Sequence, residues 1–215
     1  MLHLRFAVDE PIRILCLGAH SDDIEIGCGG TILSLSEAYP DLSVSWFVFS
    51  SNAARQAEAL NSAELFLRDI QNKHIEVLEF RDGYFPYVGG EIKDVFERIK
   101  RDRIPDIVFT HCRDDRHQDH RVISDLAWNT FRNHLILEYE IPKYDGDLGQ
   151  PNLFVPIETS LVERKISHLL TSFQTQAGKQ WFTEDTFRAL MRLRGVESNA
   201  PSRYAEAFYA RKVTL

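Results

Sequence analysis

Two short clusters of histidine and aspartate carry most of the side chains in this sequence that could do chemistry. The first places His20, Asp22 and Asp23 close together, and the second reads Asp115-Arg116-His117-Gln118-Asp119-His120. Neutral imidazole nitrogens and carboxylate oxygens are good zinc ligands, and a catalytic zinc site commonly uses three of them and leaves one position for water. Two histidines and one carboxylate drawn from the two clusters would form such a set, which indicates a hydrolytic metal site.

Each cluster directly follows a stretch with the pattern of a buried strand. Residues 12–17 and residues 106–110 are short apolar runs of the right length and composition. In open α/β sheets, ligands bind just beyond the carboxyl ends of the strands. If both strands belong to one parallel sheet, the two clusters open onto the same rim.

The rest of the chain has the alternating pattern that such a sheet requires. Further strands are predicted over residues 44–49, 75–80 and 135–140, and helices over residues 31–39, 53–68, 91–102 and 121–131. This alternation predicts an α/β fold with a mostly parallel sheet and helices on both faces. Residues 1–11 are read as an edge strand or a tail, and residues 141–157 as a long loop. The chain is predicted to end with helices over 159–176 and 183–194 and a strand over 205–213.

Composition limits the class of protein and of partner. The 215 residues are 44% hydrophobic and 27% charged, which is typical of one globular domain, with a net charge of −7. An acidic chain without a basic stripe argues against a nucleic-acid partner, and no stretch is apolar enough to predict a membrane span. The three cysteines, Cys16, Cys28 and Cys112, are too few and too irregular for a disulfide framework, so we expect packed thiols and a cytoplasmic location.

The two clusters also resemble the signatures of a known family. Residues 19–30 are similar to the Ala-His-Pro-Asp-Asp-Glu signature of the LmbE-like (PIG-L) family of metal-dependent de-N-acetylases, and residues 115–120 to its Asp-x-His-Pro-Asp-His signature. Arg55 and Glu58 resemble its Arg-x-x-Glu pair, and residues 204–208 its Ala-Glu-Ala-Phe strand. Gln118 stands where the family usually has proline. The resemblance implies a Rossmann-like three-layer fold in which residues 1–215 form a single domain.

The resemblance also implies roles for individual residues. It makes His20, Asp23 and His120 the ligands of a zinc ion, Zn2+, and Asp22 the general base that takes a proton from the attacking water. A carboxylate that is not itself a ligand can accept that proton and return it to the leaving nitrogen. Asp22 could alternatively be only a turn-stabilising carboxylate.

Three further residues complete the expected site. The resemblance implies that His117 stabilises the oxyanion or protonates the leaving amine, and that Asp119 holds His117 in its tautomer. A hydrogen bond from His117 to the Asp119 carboxylate would raise the pKa of His117. Arg55 is expected to bind substrate, the alternative being an ion pair with Glu58 or Glu64 on its own helix.

The first hypothesis is therefore a zinc-dependent N-deacetylase that removes an acetyl group from an amino sugar or its conjugate. The small-molecule amino-sugar substrate is implied by the resemblance alone. The alternatives are a metal- or sugar-binding module without turnover and a nucleotide-binding α/β protein. Against nucleotide binding, the sequence has neither a Gly-x-Gly-x-x-Gly motif nor a Walker lysine. Iron(II) and cobalt(II) remain alternatives to zinc, since ligand identity does not choose among these metals, and the oligomeric state stays open.

One group of aromatic residues has two possible roles. Tyr84, Phe85, Tyr87 and Trp181 could form a platform on which a sugar ring stacks, but packing in loops and core is the more common use of such residues. His111, at the end of a predicted strand, is expected to be structural.

Overall fold

The computed structural model describes residues 11–213, so most of the segment expected to be an edge strand or a tail lies outside the described residues. The sheet has seven strands in the order β3-β2-β1-β4-β5-β7-β6. The strands β1 to β5 run parallel, and β7 is antiparallel to both of its neighbours. The strands are β1 Arg13–Gly18, β2 Ser43–Ser50, β3 Asn72–Phe80, β4 Ile107–His111, β5 Leu135–Tyr139, β6 Leu153–Pro156 and β7 Ala205–Ala210.

Helices cover both faces of this sheet, which confirms the predicted fold class. The helices are α1 Asp23–Ala38, α2 Ala53–Phe66, α3 Gly89–Asp102, α4 Gln118–Thr130, α5 Thr159–Ser172 and α6 Glu184–Glu197, with short 3-10 helices at Phe85–Tyr87 and Gln174–Gln176. Their apolar residues form two cores. One core joins the sheet to α1, α2, α5 and α6, and the other joins it to α3 and α4.

The strand β1 shows why the sequence folds into these layers. Ile14 and Cys16 pack into the first core, while Leu15 and Leu17 pack into the second. Successive strand residues point to opposite faces, and a strand buried on both faces therefore reads as a continuous apolar run. The cysteine in this run is a free, buried thiol, as are the two others of the chain.

The helix α1 begins eight positions earlier than the glycine-rich sequence suggested, at Asp23 rather than at Thr31. Glycine is a poor helix former, which is why a turn was the expected structure here. Close packing explains the glycines instead. A Cβ at Gly27 would lie 2.2 Å from the ring of Tyr139, and a Cβ at Gly29 would lie 2.6 Å from the ring of Phe66.

A buried ion pair from the C-terminal third of the chain contacts the same part of α1. Lys165 and Glu206 lie 2.6 Å apart. The Lys165 ammonium donates to the carbonyl of Ile26, and the Glu206 carboxylate accepts from the amides of Gly30 and Thr31. Ile26 and Gly30 are four residues apart, the spacing of one helical hydrogen bond. The ion pair thus fixes the middle of α1 against α5 and β7.

Several element boundaries differ from those predicted. The expected loop over residues 141–157 contains β6, a four-residue edge strand that ends in proline, and proline is tolerated at a sheet edge. The helix predicted over 159–176 ends at Ser172 and is followed by a separate 3-10 helix. The helix predicted from residue 121 begins at Gln118.

Among residues 11–213, no helix combines the length and the apolar character that crossing a bilayer requires.

Candidate active site

The two chemical clusters meet at one edge of the sheet, as their positions after strands predicted. The strands β1 and β4 are hydrogen-bonded neighbours that run parallel, so the residues that follow them emerge side by side. Between these residues and three loops lies an open cleft of about 210 Å3. Its walls are formed by His20, Asp22, Asp23, Arg55, Asp82, His117, His120, Ile141, Lys143, Tyr144, Asp145, Gln176, Lys179 and Trp181.

Three side chains at the floor of this cleft have the spacing of metal ligands. Nδ1 of His20 lies 3.2 Å from Nε2 of His120 and 3.3 Å from one carboxylate oxygen of Asp23. Nε2 of His120 lies 3.5 Å from the other oxygen of Asp23. Ligands that bind zinc tetrahedrally at about 2.0–2.2 Å are separated by about 3.3–3.6 Å. The two imidazoles and the Asp23 carboxylate thus lie close enough together to hold a cation, with a different Asp23 oxygen near each imidazole. His20 and His120 also form such a group with His117.

The ring nitrogens that face away from this triangle are held by other carboxylates. Nε2 of His20 lies 3.0 Å from Asp82 and 3.4 Å from Asp119, while Nδ1 of His120 lies 2.9 Å from Asp115. Metal-binding histidines commonly donate their second N–H to such a group, which fixes the ring and its tautomer. The arrangement leaves Nδ1 of His20 and Nε2 of His120 facing each other within the triangle.

Asp82 and Asp115 were missed as functional residues by sequence reasoning. Asp115 belongs to the second cluster but had no assigned role, and Asp82 lies in an aromatic loop with no metal-ligand spacing. The available signal was the pairing rule itself, because two predicted histidine ligands require two partners.

The ionisable groups around the triangle influence each other strongly. Burial alone would raise the pKa of Asp23, but the surrounding imidazoles hold the pKa of this carboxyl well below its usual range. Burial and the neighbouring His111 lower the pKa of His120 to about 3. Burial alone would lower the pKa of His20, but the adjacent carboxylates, chiefly Asp23, raise this pKa well above its usual value. The site therefore favours a positive charge between these residues, which a proton or a metal ion can supply.

Asp22 lies beside the triangle with one oxygen paired and one without a partner. Oδ1 accepts a hydrogen bond from Nη2 of Arg55 at 2.9 Å. Oδ2 is buried and has no hydrogen-bond partner among the described residues. Burial raises the pKa of Asp22, and the Arg55 guanidinium only partly offsets that rise. A buried carboxylate with a free oxygen and an increased proton affinity is suited to accept a proton.

Arg55 lies in the cleft wall, where its ion pair is with Asp22 rather than with a residue of its own helix. The two alternative partners make other contacts. Glu58 accepts from the backbone and hydroxyl of Thr175, and Glu64 pairs with Lys73. Arg55 therefore orients Asp22, and any contact that it makes with substrate comes in addition.

The expected contact between the side chains of His117 and Asp119 is replaced by another one. The backbone N–H of Asp119 donates to Nδ1 of His117, while the Asp119 carboxylate accepts from the amides of Gly83 and Phe85. Asp119 lies in the first turn of α4, where its side chain points to the neighbouring loop. Burial and the nearby His20 lower the pKa of His117, against the expected rise. Because Nδ1 is an acceptor, a neutral His117 carries its proton on Nε2.

Gln118, where the family usually has proline, contributes to the same loop contact. Its amide donates to the carbonyl of Gly83, while Asp119 accepts from the Gly83 amide at 2.6 Å. Gly83 has a φ of +77°, a conformation that favours glycine. This clamp holds the loop that carries Asp82.

The remaining aromatic residues divide between packing and the cleft. Phe85 is fully buried and His111 stacks on His120 with ring centres 3.9 Å apart, so both pack as expected. Tyr84 and Tyr87 are exposed. Trp181 packs against the first core and contacts the ring of Phe182, as the packing interpretation expected, and it also lies in the cleft wall.

Comparison with known proteins gives a consistent picture. The sequence model of the PIG-L family, described as GlcNAc-PI de-N-acetylase, matches residues 15–131, which is more than half of the chain. The diacetylchitobiose deacetylase of Thermococcus kodakarensis is 28% identical over 137 residues, covering 55% of this chain and 50% of that protein. The match thus spans about half of the length of this curated relative.

Two solved structures show the extent of the shared fold. The N,N'-diacetylchitobiose deacetylase of Pyrococcus horikoshii, complexed with an inhibitor, has a TM-score of 0.66 and 24% identity, covering 91% of this chain and 82% of that one. GalB, a 4-carboxy-2-hydroxymuconate hydratase from Pseudomonas putida KT2440, has a TM-score of 0.71 and 18% identity, covering 95% and 98%. At these identities the likeness establishes the fold and leaves the reaction to be argued from the site.

Proposed function

Because this chain belongs to the PIG-L family, we propose that it is a metal-dependent hydrolase that removes an acetyl group from the amide nitrogen of an amino sugar or its conjugate. The observation that carries the proposal is the triangle of His20, Asp23 and His120, with edges of 3.2 to 3.5 Å, next to the unpartnered oxygen of Asp22. This combination provides a cation site and a base beside it, which are the two groups that amide hydrolysis by water requires.

The metal has a limited and well-defined part in this proposal. Zinc held by these three residues would act as a Lewis acid and bring the pKa of water from 15.7 to about 7. The carboxylates around His20 and His120 would keep both rings oriented toward the ion. Iron(II) or cobalt(II) would be held by the same donor set.

Asp22 moves the proton in the proposed reaction. Its Oδ2 takes a proton from the attacking water, whose oxygen forms a bond with the carbonyl carbon of the amide. As the C–N bond breaks, Asp22 returns the proton to the leaving nitrogen, so acetate and a free amine are produced. Arg55 holds Oδ1, while Oδ2 has no hydrogen-bond partner among the described residues and is therefore the oxygen proposed to take the proton.

His117 is positioned to act on the carbonyl oxygen. Its Nδ1 accepts from the backbone of Asp119, so the neutral ring presents Nε2–H as a donor at the cleft wall. An N–H that is already oriented stabilises the negative charge that develops on that oxygen, and such electrostatic stabilisation is often the largest contribution in acyl transfer. Asp119 contributes through its backbone and through the loop that carries Asp82.

The charges of the cleft support a neutral substrate rather than an acidic one. Arg55 is paired with Asp22, and Lys143 is paired with Asp115 and Asp147. Only Lys179 adds a further cation to the wall, against the exposed Asp82 and Asp145. A polycarboxylate of the kind named for the structurally similar hydratase would meet little unpaired positive charge. N,N'-diacetylchitobiose, the sugar named for two of the similar proteins, carries no charge.

The test combines metal analysis with an assay for amine release. The protein as purified, after chelation, and after addition of Zn2+, Fe2+ or Co2+ is incubated with N-acetylglucosamine, N,N'-diacetylchitobiose and, as a non-sugar control, acetyl-lysine. We expect one tightly bound metal, metal-dependent release of amine from a sugar, and no release from acetyl-lysine. Bound metal without amine release across the sugars would favour a binding module and reject the proposal, as would activity that chelation leaves unchanged.

A further inference from the structure

The segment of residues 174–181 forms part of the cleft wall but has no role in the chemistry above. It begins with the short 3-10 helix Gln174–Gln176 and contributes Gln176, Lys179 and Trp181 to the wall. It is fastened to α2 by Glu58, whose two carboxylate oxygens accept from the amide and the hydroxyl of Thr175 at 2.8 and 2.6 Å. The position of this wall is therefore set by a specific polar contact.

The same contact determines which way the Gln176 amide faces. Because a carboxylate can only accept, the Thr175 hydroxyl donates its hydrogen bond to Glu58. The hydroxyl oxygen can then only accept from any other neighbour. The atom of Gln176 that lies 3.0 Å from this hydroxyl must then be the donor Nε2. The amide oxygen Oε1 is left on the other side. Glu58 and Thr175 thus fix the amide of a residue that lines the cleft, with its nitrogen paired and its oxygen left free of this contact.

That acceptor has no partner among the described residues. Gln176 is only 4% exposed, and its Oε1 is buried without a hydrogen bond. An unpaired buried carbonyl oxygen is unfavourable, whereas the same oxygen becomes satisfied when a bound molecule brings a hydroxyl group to it. Sites that are built to pair with a substrate hydroxyl discriminate strongly against analogues that lack it.

We propose that Gln176 is a specificity-determining residue whose amide oxygen accepts a hydrogen bond from a sugar hydroxyl of the bound substrate, with Glu58 and Thr175 as positioning residues that orient the amide. This inference rests on the proposed function, since it concerns the substrate of the same cleft. It adds a recognition element that is separate from the metal triangle and from Asp22.

Gln174 provides a matched control on the same short helix. Its amide nitrogen donates to the carbonyls of Leu170 and Thr171 at the end of α5, and it does not belong to the residues that line the cleft. Substitution of Gln174 changes the segment without changing the acceptor in the cleft.

The first experiment compares Gln176→Leu with Gln174→Leu in steady-state hydrolysis of N,N'-diacetylchitobiose and a set of its monodeoxy analogues. We expect Gln176→Leu to raise KM about fivefold to tenfold, as the loss of one neutral hydrogen bond would, with kcat within about twofold. Gln174→Leu should behave like the unmodified protein. One monodeoxy analogue should be a poorer substrate for the unmodified protein and should be insensitive to Gln176→Leu. An unchanged KM, or an equal loss on every analogue, would overturn the inference.

The orienting contact is tested with two substitutions of Thr175. Thr175→Val keeps the shape but removes the hydroxyl, so we expect part of the rise in KM seen with Gln176→Leu. Thr175→Ser retains the hydroxyl and should restore KM. Metal content should stay the same in both variants. If Val and Ser had the same effect, Glu58 and Thr175 would have no orienting role.

A binding experiment separates this inference from the proposed function. Calorimetric titration of metal-loaded Asp22→Asn protein with N,N'-diacetylchitobiose is repeated in the Asp22→Asn/Gln176→Leu double variant. We expect the double variant to bind about fivefold to tenfold more weakly. This result would support the inference even if the unmodified protein released no amine, which would reject the proposed function alone. Equal affinities would reject the inference alone, and absence of sugar binding would reject both.

Discussion

The two histidines of the metal triangle are supported in different ways. His120 stacks on the buried His111 and is bonded to Asp115, which is 2% exposed in its side chain and is itself held by Lys143. His20 relies on Asp82, whose side chain is 62% exposed and belongs to a loop. One half of the site is therefore part of the core, and the other half is completed by a surface loop. The two proposed histidine ligands therefore differ in how deeply their carboxylate partners are buried.

The largest effect should come from removing a ligand of the core half. His120→Ala removes one corner of the triangle and takes away the imidazole that lies between Asp23 and Asp115. We expect loss of bound metal and of all measurable amine release, checked by elemental analysis and the amine assay. His20→Ala should give the same loss, because the proposed cation site needs all three ligands. Full metal occupancy in either variant would contradict the assigned ligand set.

Asp22→Asn tests the base without touching the triangle. We expect metal content to be retained and kcat to fall by about 10²–10⁴-fold, the usual contribution of a positioned acid or base. Asp145→Asn is the matched control, since Asp145 is also a carboxylate of the cleft wall but belongs to neither cluster. It should keep kcat within about twofold. Full turnover by the Asp22→Asn protein would remove the base assignment.

Asp115→Asn and Asp82→Asn compare the two partners directly. Outer carboxylates of this kind typically contribute about 10–100-fold to metal affinity or activity. We expect Asp115→Asn to weaken metal binding by an amount in that range, because its partner is buried and the lost charge is not replaced by solvent. Asp82→Asn should cost less than about tenfold, since Asp82 is exposed and Asp119 lies 3.4 Å from the same nitrogen of His20. The metal affinity of each variant is measured by competition with a chelator. Equal losses of affinity would contradict the expected difference between Asp115 and Asp82.

The smallest effect concerns the loop clamp. Gly83 has a φ of +77° and is held between Asp119 and Gln118. Gly83→Ala strains this conformation by roughly 1 kcal/mol and should displace Asp82 slightly. We expect a drop in activity of no more than that of Asp82→Asn, with little further loss when both changes are combined, measured as a double-mutant cycle. Additive losses would mean that Gly83 acts on another part of the site.

The sequence predicted the parts of the site that depend on local pattern and strand position. The two clusters could be grouped because each follows a buried strand, and parallel strands end on one rim. The choice of His20, Asp23 and His120 within them came from the family resemblance. Their convergence is a consequence of topology, which the alternation of strands and helices already indicates. The departures from the family pattern at Gln118 did not disturb this grouping.

Other parts depend on contacts that only the folded chain creates. The side chain of Asp119 turns to the loop of Gly83 rather than to His117, and nothing in the spacing of the two residues decides between these directions. The start of α1 was misplaced because glycine is a poor helix former and the segment contains three glycines. In the folded chain, Tyr139 packs against Gly27 and Phe66 packs against Gly29, so that a side chain would not fit there. The contact between Glu58 and Thr175 orients Gln176. Because Glu58 and Gln176 are more than a hundred residues apart, no sequence motif indicates this arrangement.

The ion pair of Lys165 and Glu206 has a consequence for how the protein is made. During synthesis on the ribosome, both metal-binding clusters leave the exit tunnel well before the segment that carries Glu206. Until that segment arrives, Lys165 lacks its counter-charge and the amides of Gly30 and Thr31 lack the Glu206 carboxylate as acceptor. The nascent polypeptide thus contains His20, Asp23 and His120 before it contains the ion pair that fixes the helix carrying Asp23. The proposed cation site can reach its final geometry only after β7 has joined the sheet.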